Sequence, residues 1–244
     1  MMKRVNKNSF VPLYYQLKDI ITELIENEEL KPQDPIPSER ELCEYHGISR
    51  MTVNKAITSL VSEGMLYREQ GKGTFVARPK ERHSLSALRS FTEDMRRQGM
   101  TVETKMISFQ RKPVTKKIEK ALQLKTGQQV FEIRRLRIVS GEPYALETAY
   151  IPANLCENLT KEELENNSLY AILAEHYNLE MEYAYQTIEP VIIDDYESQL
   201  LRVEKNTLGL LFSRKTYLKD HTPMELTKAI YRSDKYKYEV MLKR

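Results

Sequence analysis

The chain has 244 residues, of which 41% are hydrophobic and 30% charged, the proportions of a globular protein long enough for one large domain or two ordinary ones. No run approaches the ~18 consecutive apolar residues of a membrane-spanning helix, and the polar start carries no export signal, so a cytoplasmic protein without membrane contact is expected. Two cysteines, Cys43 and Cys156, suit neither a disulfide framework nor a CxxC zinc pair, and a formal charge of +3 is too small to decide about nucleic acid.

Leu13, Leu17, Ile20, Ile21, Leu24 and Ile25 recur at helical spacing and predict an amphipathic helix from about Pro12 to Glu28. Pro32, Pro35 and Pro37 delay the next helix until Ser38, which with Glu41 forms a capping box and starts a helix over about Glu39–Tyr45. Gly47 stops it and Ser49 caps a third helix, with Val53, Ala56, Ile57, Leu60 and Val61 on one face to about Glu63. Met65–Arg68 and Thr74–Ala77 read as strands of a hairpin around Gly71-Lys72-Gly73. The charged, aperiodic segment 78–83 reads as a linker between domains at 1–77 and 84–244. Beyond it, period-two runs predict strands over Val102–Phe109, Gln129–Val139, Tyr144–Ile151, Tyr183–Val191, Leu210–Leu218, Met224–Arg232 and Tyr236–Leu242. Helices near Ser90–Gln98, Lys116–Leu124, Leu169–Tyr177 and Tyr196–Leu201 are interleaved, which gives an α+β fold around one largely antiparallel sheet. Arg135–Ile151 and Phe212–Tyr231 share a strand-turn-strand plan that falls short of a repeat.

Helix, tight turn, helix and hairpin describe a winged helix-turn-helix, which offers the start of its second helix to the DNA major groove. Ser49, Arg50, Thr52, Asn54 and Lys55 stand there, and residues 47–80 hold six basic residues against two acidic ones. Arginine can donate to guanine O6 and N7 together, while hydroxyls and lysine hold phosphates. Glycine lets the hairpin tip approach a narrow groove. The shape alone is as compatible with a dimerisation element as with DNA reading. Phosphate-loop readings of Gly71-x-Gly73 fail, because Val76 and Leu66 occupy required glycine positions.

Pro37-Ser38-Glu39-Arg40-Glu41-Leu42, Gly47-Ile48-Ser49-Arg50-Met51-Thr52-Val53, Glu63-Gly64-Met65-Leu66 and Gly71-Lys72-Gly73-Thr74-Phe75-Val76 closely resemble the winged helix of GntR-family bacterial transcription regulators. The resemblance implies that Arg40 and Arg50 contact bases and phosphates, Ser49 and Thr52 phosphates, and Gly71 with Lys72 and Gly73 the minor groove. Ser38, Asn54 and Lys55 complete the candidate DNA-binding set. Asn54 stands where members commonly carry arginine, so base preference there differs from that of relatives.

In the strand Gln129–Val139, alternation puts Arg135 and Arg137 on one face with Phe131, Ile133 and Val139. Half-buried arginines need a counter-charge, and a pair of them forms a fork suited to phosphate. Glu147, on the partner strand after the Gly141 turn, could neutralise one arginine, and the residues alone slightly favour that simpler reading. The four histidines are scattered, and no catalytic order, metal-ligand spacing or cofactor motif is evident.

The second half, through Ser90 to Met95, Arg135-Leu136-Arg137, Pro143 to Glu147, Ser168-Leu169-Tyr170 and Glu225 to Arg232, resembles the effector-binding (UTRA) domain of the HutC subfamily. That likeness implies a chorismate-lyase-like fold used without catalysis to bind a small molecule. It also implies that Ser90, Phe91 and Thr92 offer donors at a helix start, that Arg135, Arg137, Ser168 and Tyr170 complete a phosphate cradle, and that Glu147, Glu225 and Tyr231 meet sugar hydroxyls. The expectation is a homodimeric regulator, a repressor of palindromic operator DNA, released by a phosphorylated sugar, with glucosamine 6-phosphate or N-acetylglucosamine 6-phosphate first in order. Trehalose 6-phosphate, a glycated amino-acid phosphate or a carboxylate is the alternative effector. An enzyme of the same fold with Glu147 as general base is the rival class.

Overall fold

Leu17, Ile20 and Ile21 of α1 (Leu13–Glu26) are buried against Leu42 of α2 (Glu39–His46) and Val53, Ala56, Ile57 and Leu60 of α3 (Arg50–Ser62). The helical spacing of the sequence thus becomes a three-helix core. The Ser38 hydroxyl accepts from the Glu41 amide while the Glu41 carboxylate accepts from the Ser38 amide, which fixes where α2 begins. Gly47 ends α2 at a φ of 63°, the left-handed conformation that favours glycine. Two residues later Ser49 caps α3 by accepting from the Thr52 amide. β1 (Leu66–Glu69) and β2 (Gly73–Val76) pair antiparallel, burying Leu66 and Val76 under the helices and carrying Gly71 and Lys72 out on the tip.

The computed structural model describes residues 2–78, 87–165 and 167–241, together with the main chain of 81–84. Contacts divide the chain into two compact units between Glu81 and Arg82. The expected linker is partly a strand: β3 (Glu81–Ser84) pairs with β10 (Tyr236–Glu239), while residues 79 and 80 of that segment lie outside the described residues. Main-chain pairing does not require apolar alternation, so the charged sequence gave no sign of this strand.

The second unit is built on a six-stranded antiparallel sheet. Its order is β4 (Val102–Pro113), β5 (Gln129–Val139), β6 (Glu142–Pro152), β9 (Pro223–Arg232), β8 (Leu208–Tyr217) and β7 (Tyr183–Ile192). With α5 (Lys116–Leu122) after β4 and α8 (Asp195–Leu201) after β7, the chain runs strand, helix, strand, strand twice, and the two copies meet at β6 and β9. The likeness between the two hairpins is therefore part of a duplicated motif, more than the sequence alone supported. Ile118 and Leu122 of α5 pack on Val130, Tyr150 and Leu226, and Leu201 of α8 packs on Leu136, Leu146 and Ile230. The opposite face carries α4 (Phe91–Arg97) through Met95, Val139 and Tyr144. It also carries α7 (Leu169–Tyr177), whose Leu169, Ile172 and Leu173 bury Phe131, Ile133, Ala149 and Ile151. A turn of 3-10 helix (Ala153–Leu155) and the short α6 (Lys161–Leu164) join β6 to α7 and were not anticipated.

Candidate DNA-reading surface and ligand cavity

The start of α3 presents Arg50, whose side chain is 85% exposed, beside the Ser49 and Thr52 hydroxyls, which lie 2.8 Å apart. Arg40, on the exposed side of α2, bonds Glu44 one turn on at 2.9 Å. Ser38 is occupied by its capping box. Asn54 is held at both ends: its Nδ2 donates to Glu39 at 3.1 Å, and its Oδ1 accepts from Thr58 at 3.4 Å. Lys55 leans over the Tyr14 ring of α1 at 4.0 Å, away from that group. At the hairpin tip Lys72 pairs with Glu69 at 2.9 Å, and Gly71 sits at a φ of 76° with open space where a side chain would be. The structure thus gathers Arg50, Ser49, Thr52 and Asn54 at the start of α3, with Arg40 on α2, Lys55 over Tyr14 and Lys72 at the hairpin tip.

In the second unit, Arg135 and Arg137 of β5 are 4% and 2% exposed and share one face, as alternation requires. Arg135 Nη2 donates to Glu147 Oε1 directly across the strand pair. Arg137 Nη2 donates to Thr92 Oγ1 at 2.7 Å, and its guanidinium lies 4.6 Å from the centre of the Phe91 ring. One arginine is therefore hydrogen-bonded to the protein's own carboxylate, whereas the other feels that carboxylate only through space. Nε and Nη1 of both remain buried without a hydrogen-bond partner. Four orphaned guanidinium donors are costly, since a buried polar group without a partner loses its hydration for nothing. Beside them is a cavity of about 90 Å³, lined also by Ser90, Ser168, Arg214, Glu225 and Tyr231. A single water needs about 10–15 Å³ on a comparable measure, so there is room for a ligand group.

Electrostatics divide the cavity. Burial and the neighbouring Arg135 bring the Arg137 pKa down to about 10. Burial raises the pKa of Glu147, but Arg135 and Arg137 outweigh it and hold the carboxyl below its ordinary value. At Glu225 burial prevails: it pushes the pKa up, with Glu147 adding to the rise, against the opposing Tyr170 hydroxyl and Arg214, and the carboxylate also accepts from Thr216. Tyr170, expected in the phosphate cradle, thus bonds Glu225 in this structure. Tyr231, its pKa raised to about 12 by burial, packs against Phe212 and Tyr236. Ser90 is used by the capping box of α4, whereas the Ser168 side chain makes no cap bond at the start of α7.

The expected set omitted Arg214 of β8 and Gln186 of β7. Arg214 Nε donates to Gln186 Oε1 at 2.7 Å and Nη1 to the Arg89 carbonyl at 3.2 Å. The signal for it was present: Arg214 is the seventh residue of β8, as Arg135 is of β5.

Residues 13–76 match the bacterial regulatory proteins of the gntR family, and residues 97–237 match the UTRA domain. The HTH-type transcriptional repressor NagR of Bacillus subtilis is 38% identical over 96% of both chains. The mannosyl-D-glycerate transport/metabolism system repressor MngR of Escherichia coli is 30% identical over 96% of this chain and 97% of its own. PhnF from Mycobacterium smegmatis superposes with a TM-score of 0.63 at 26% identity, covering 93% of this chain and 98% of that one. A groove-reading winged helix joined to a ligand-binding sheet domain defines a ligand-responsive, DNA-binding transcriptional regulator. The chain belongs to the GntR family, in its HutC subfamily.

Proposed function

We propose that the protein is a cytoplasmic homodimeric repressor that binds a palindromic operator and is released by an amino-sugar phosphate, glucosamine 6-phosphate or N-acetylglucosamine 6-phosphate. The observation that carries the reading is the set of buried, unpartnered Nε and Nη1 atoms of Arg135 and Arg137 beside a cavity. A phosphate seated there supplies acceptors to all four and the counter-charge that Arg137 lacks. Ser90, Phe91 and Ser168 line this end and Thr92 steadies Arg137 beside it, while Glu147, Glu225, Tyr170 and Tyr231 meet the sugar. Ser38, Arg40, Ser49, Arg50, Thr52, Asn54, Lys55, Gly71, Lys72 and Gly73 form the DNA-binding set. Segment 78–83 joins the two roles. A two-fold protein reads matching half-sites. Release follows if the ligand binds the arrangement that cannot hold the operator more tightly; a coupling of about 1–3 kcal/mol changes operator affinity about 5–150-fold.

The test is thermal unfolding of the full-length protein with glucosamine 6-phosphate, N-acetylglucosamine 6-phosphate, trehalose 6-phosphate, inorganic phosphate and unphosphorylated N-acetylglucosamine. The two amino-sugar phosphates are expected to raise the melting temperature and dissociate bound DNA, with no turnover of either. Stabilisation by trehalose 6-phosphate alone replaces the amino sugar, and stabilisation by the unphosphorylated sugar overturns the cradle.

A further inference from the structure

Glu39, the first residue of α2, is an acid set among the groups that face DNA. Its side chain is 26% exposed, and it collects donors from two other elements. Glu39 Oε2 lies 3.5 Å from Arg50 Nε of α3, and Oε1 accepts from Asn54 Nδ2 at 3.1 Å and from Arg68 Nη2 of β1 at 3.5 Å. Arg68 also donates to Thr58 at 3.3 Å, and Thr58 to Asn54, so the network closes on itself. A carboxylate facing a polyanion weakens binding, and although the first turn of α2 suits a negative charge, that place alone does not call for contacts to Arg50, Asn54 and Arg68.

We propose that Glu39 is a specificity-positioning residue of the DNA-reading surface. Engaging Arg50 at Nε leaves both terminal nitrogens of the guanidinium fork facing outward, the arrangement that reads guanine O6 and N7. Holding Asn54 at both ends makes it a brace for Glu39 and, through it, for Arg50. The charge of Glu39 also restrains Arg68 from a phosphate and repels phosphates that approach out of register. It therefore weakens sequence-independent binding more than specific binding.

The experiment uses the full-length protein, a duplex enriched by the wild type from a random-sequence pool, and a scrambled duplex of equal length, each titrated across a range of salt. Glu39→Gln is expected to tighten binding to the scrambled duplex and to reduce discrimination roughly 5-fold or more. It should also steepen the logarithmic salt dependence by about 0.9, the signature of one added phosphate contact. Glu39→Asp keeps the charge but shortens the reach, so discrimination falls while the salt slope stays wild-type. Unchanged discrimination in Glu39→Asp, or in a folded Glu39→Gln, overturns the inference. Failure of the wild type to enrich any duplex speaks against DNA reading by α3 itself and is distinguishable from both results.

Discussion

The two units use arginine under opposite conditions. Arg50 at the start of α3 stands 85% exposed, keeps its hydration, and costs the folded protein almost nothing. Arg137 in the second unit is 2% exposed, with no carboxylate among the described residues paired to it and two orphaned nitrogens. Its desolvation lowers the stability of the fold. Exposed cations draw affinity from counterion release, which is sequence-tolerant and falls with salt. Buried cations draw it from a ligand that restores lost hydrogen bonds, and such sites reject ligands lacking the matching group.

The sharpest way to break this contrast is within the buried pair. Arg135→Ala strands the Glu147 carboxylate in the interior and is expected to cost about 3–5 kcal/mol in urea unfolding, together with the response to sugar phosphate. Arg137→Met, which removes a buried cation that no carboxylate is hydrogen-bonded to, should cost far less stability than Arg135→Ala while abolishing ligand-induced stabilisation. Equal losses in the two variants would refute the assignment of one paired and one waiting arginine. On the exposed side, Arg50→Ala should weaken the enriched duplex by about 1–3 kcal/mol in a gel-shift titration, with unfolding and ligand response unaltered. A melting temperature lowered by that change would place Arg50 in the structure and not in the groove.

A smaller effect concerns Glu225. Burial raises its pKa in the folded state, so the native protein holds a proton that the unfolded chain releases. Stability is then lost as pH climbs from the ordinary carboxyl value through the raised one. Glu225→Gln removes that loss: at pH 8 the variant should melt about 2–4 °C above the wild type, and near pH 4 the gain should vanish. A gain of equal size at both pH values would assign the effect to packing.

The helices of the first unit were legible because capping residues, Gly47 and apolar spacing all pointed the same way, and the shared face of Arg135 and Arg137 followed from alternation alone. The strand Glu81–Ser84 was hidden because its hydrogen bonds leave no trace in side-chain pattern. Who bonds whom was beyond the sequence. The sequence did not show that Glu39 and Thr58 bond both ends of Asn54, or that the Tyr170 hydroxyl bonds Glu225, 55 positions away. Arg214 was missed for a different reason: the plan shared by the two hairpins was noticed without being followed strand by strand.

That duplicated motif explains how the cavity acquired a polarity. Arg135 and Arg214 hold matching places in the two halves, yet the cross-strand neighbour of the first is Glu147 and that of the second is Thr227. One halving of the pattern kept an acid and the other kept a hydroxyl. With Glu225 two residues along the same strand, the twin walls bring their acids to the chamber at unlike places, and its two halves differ despite their common plan.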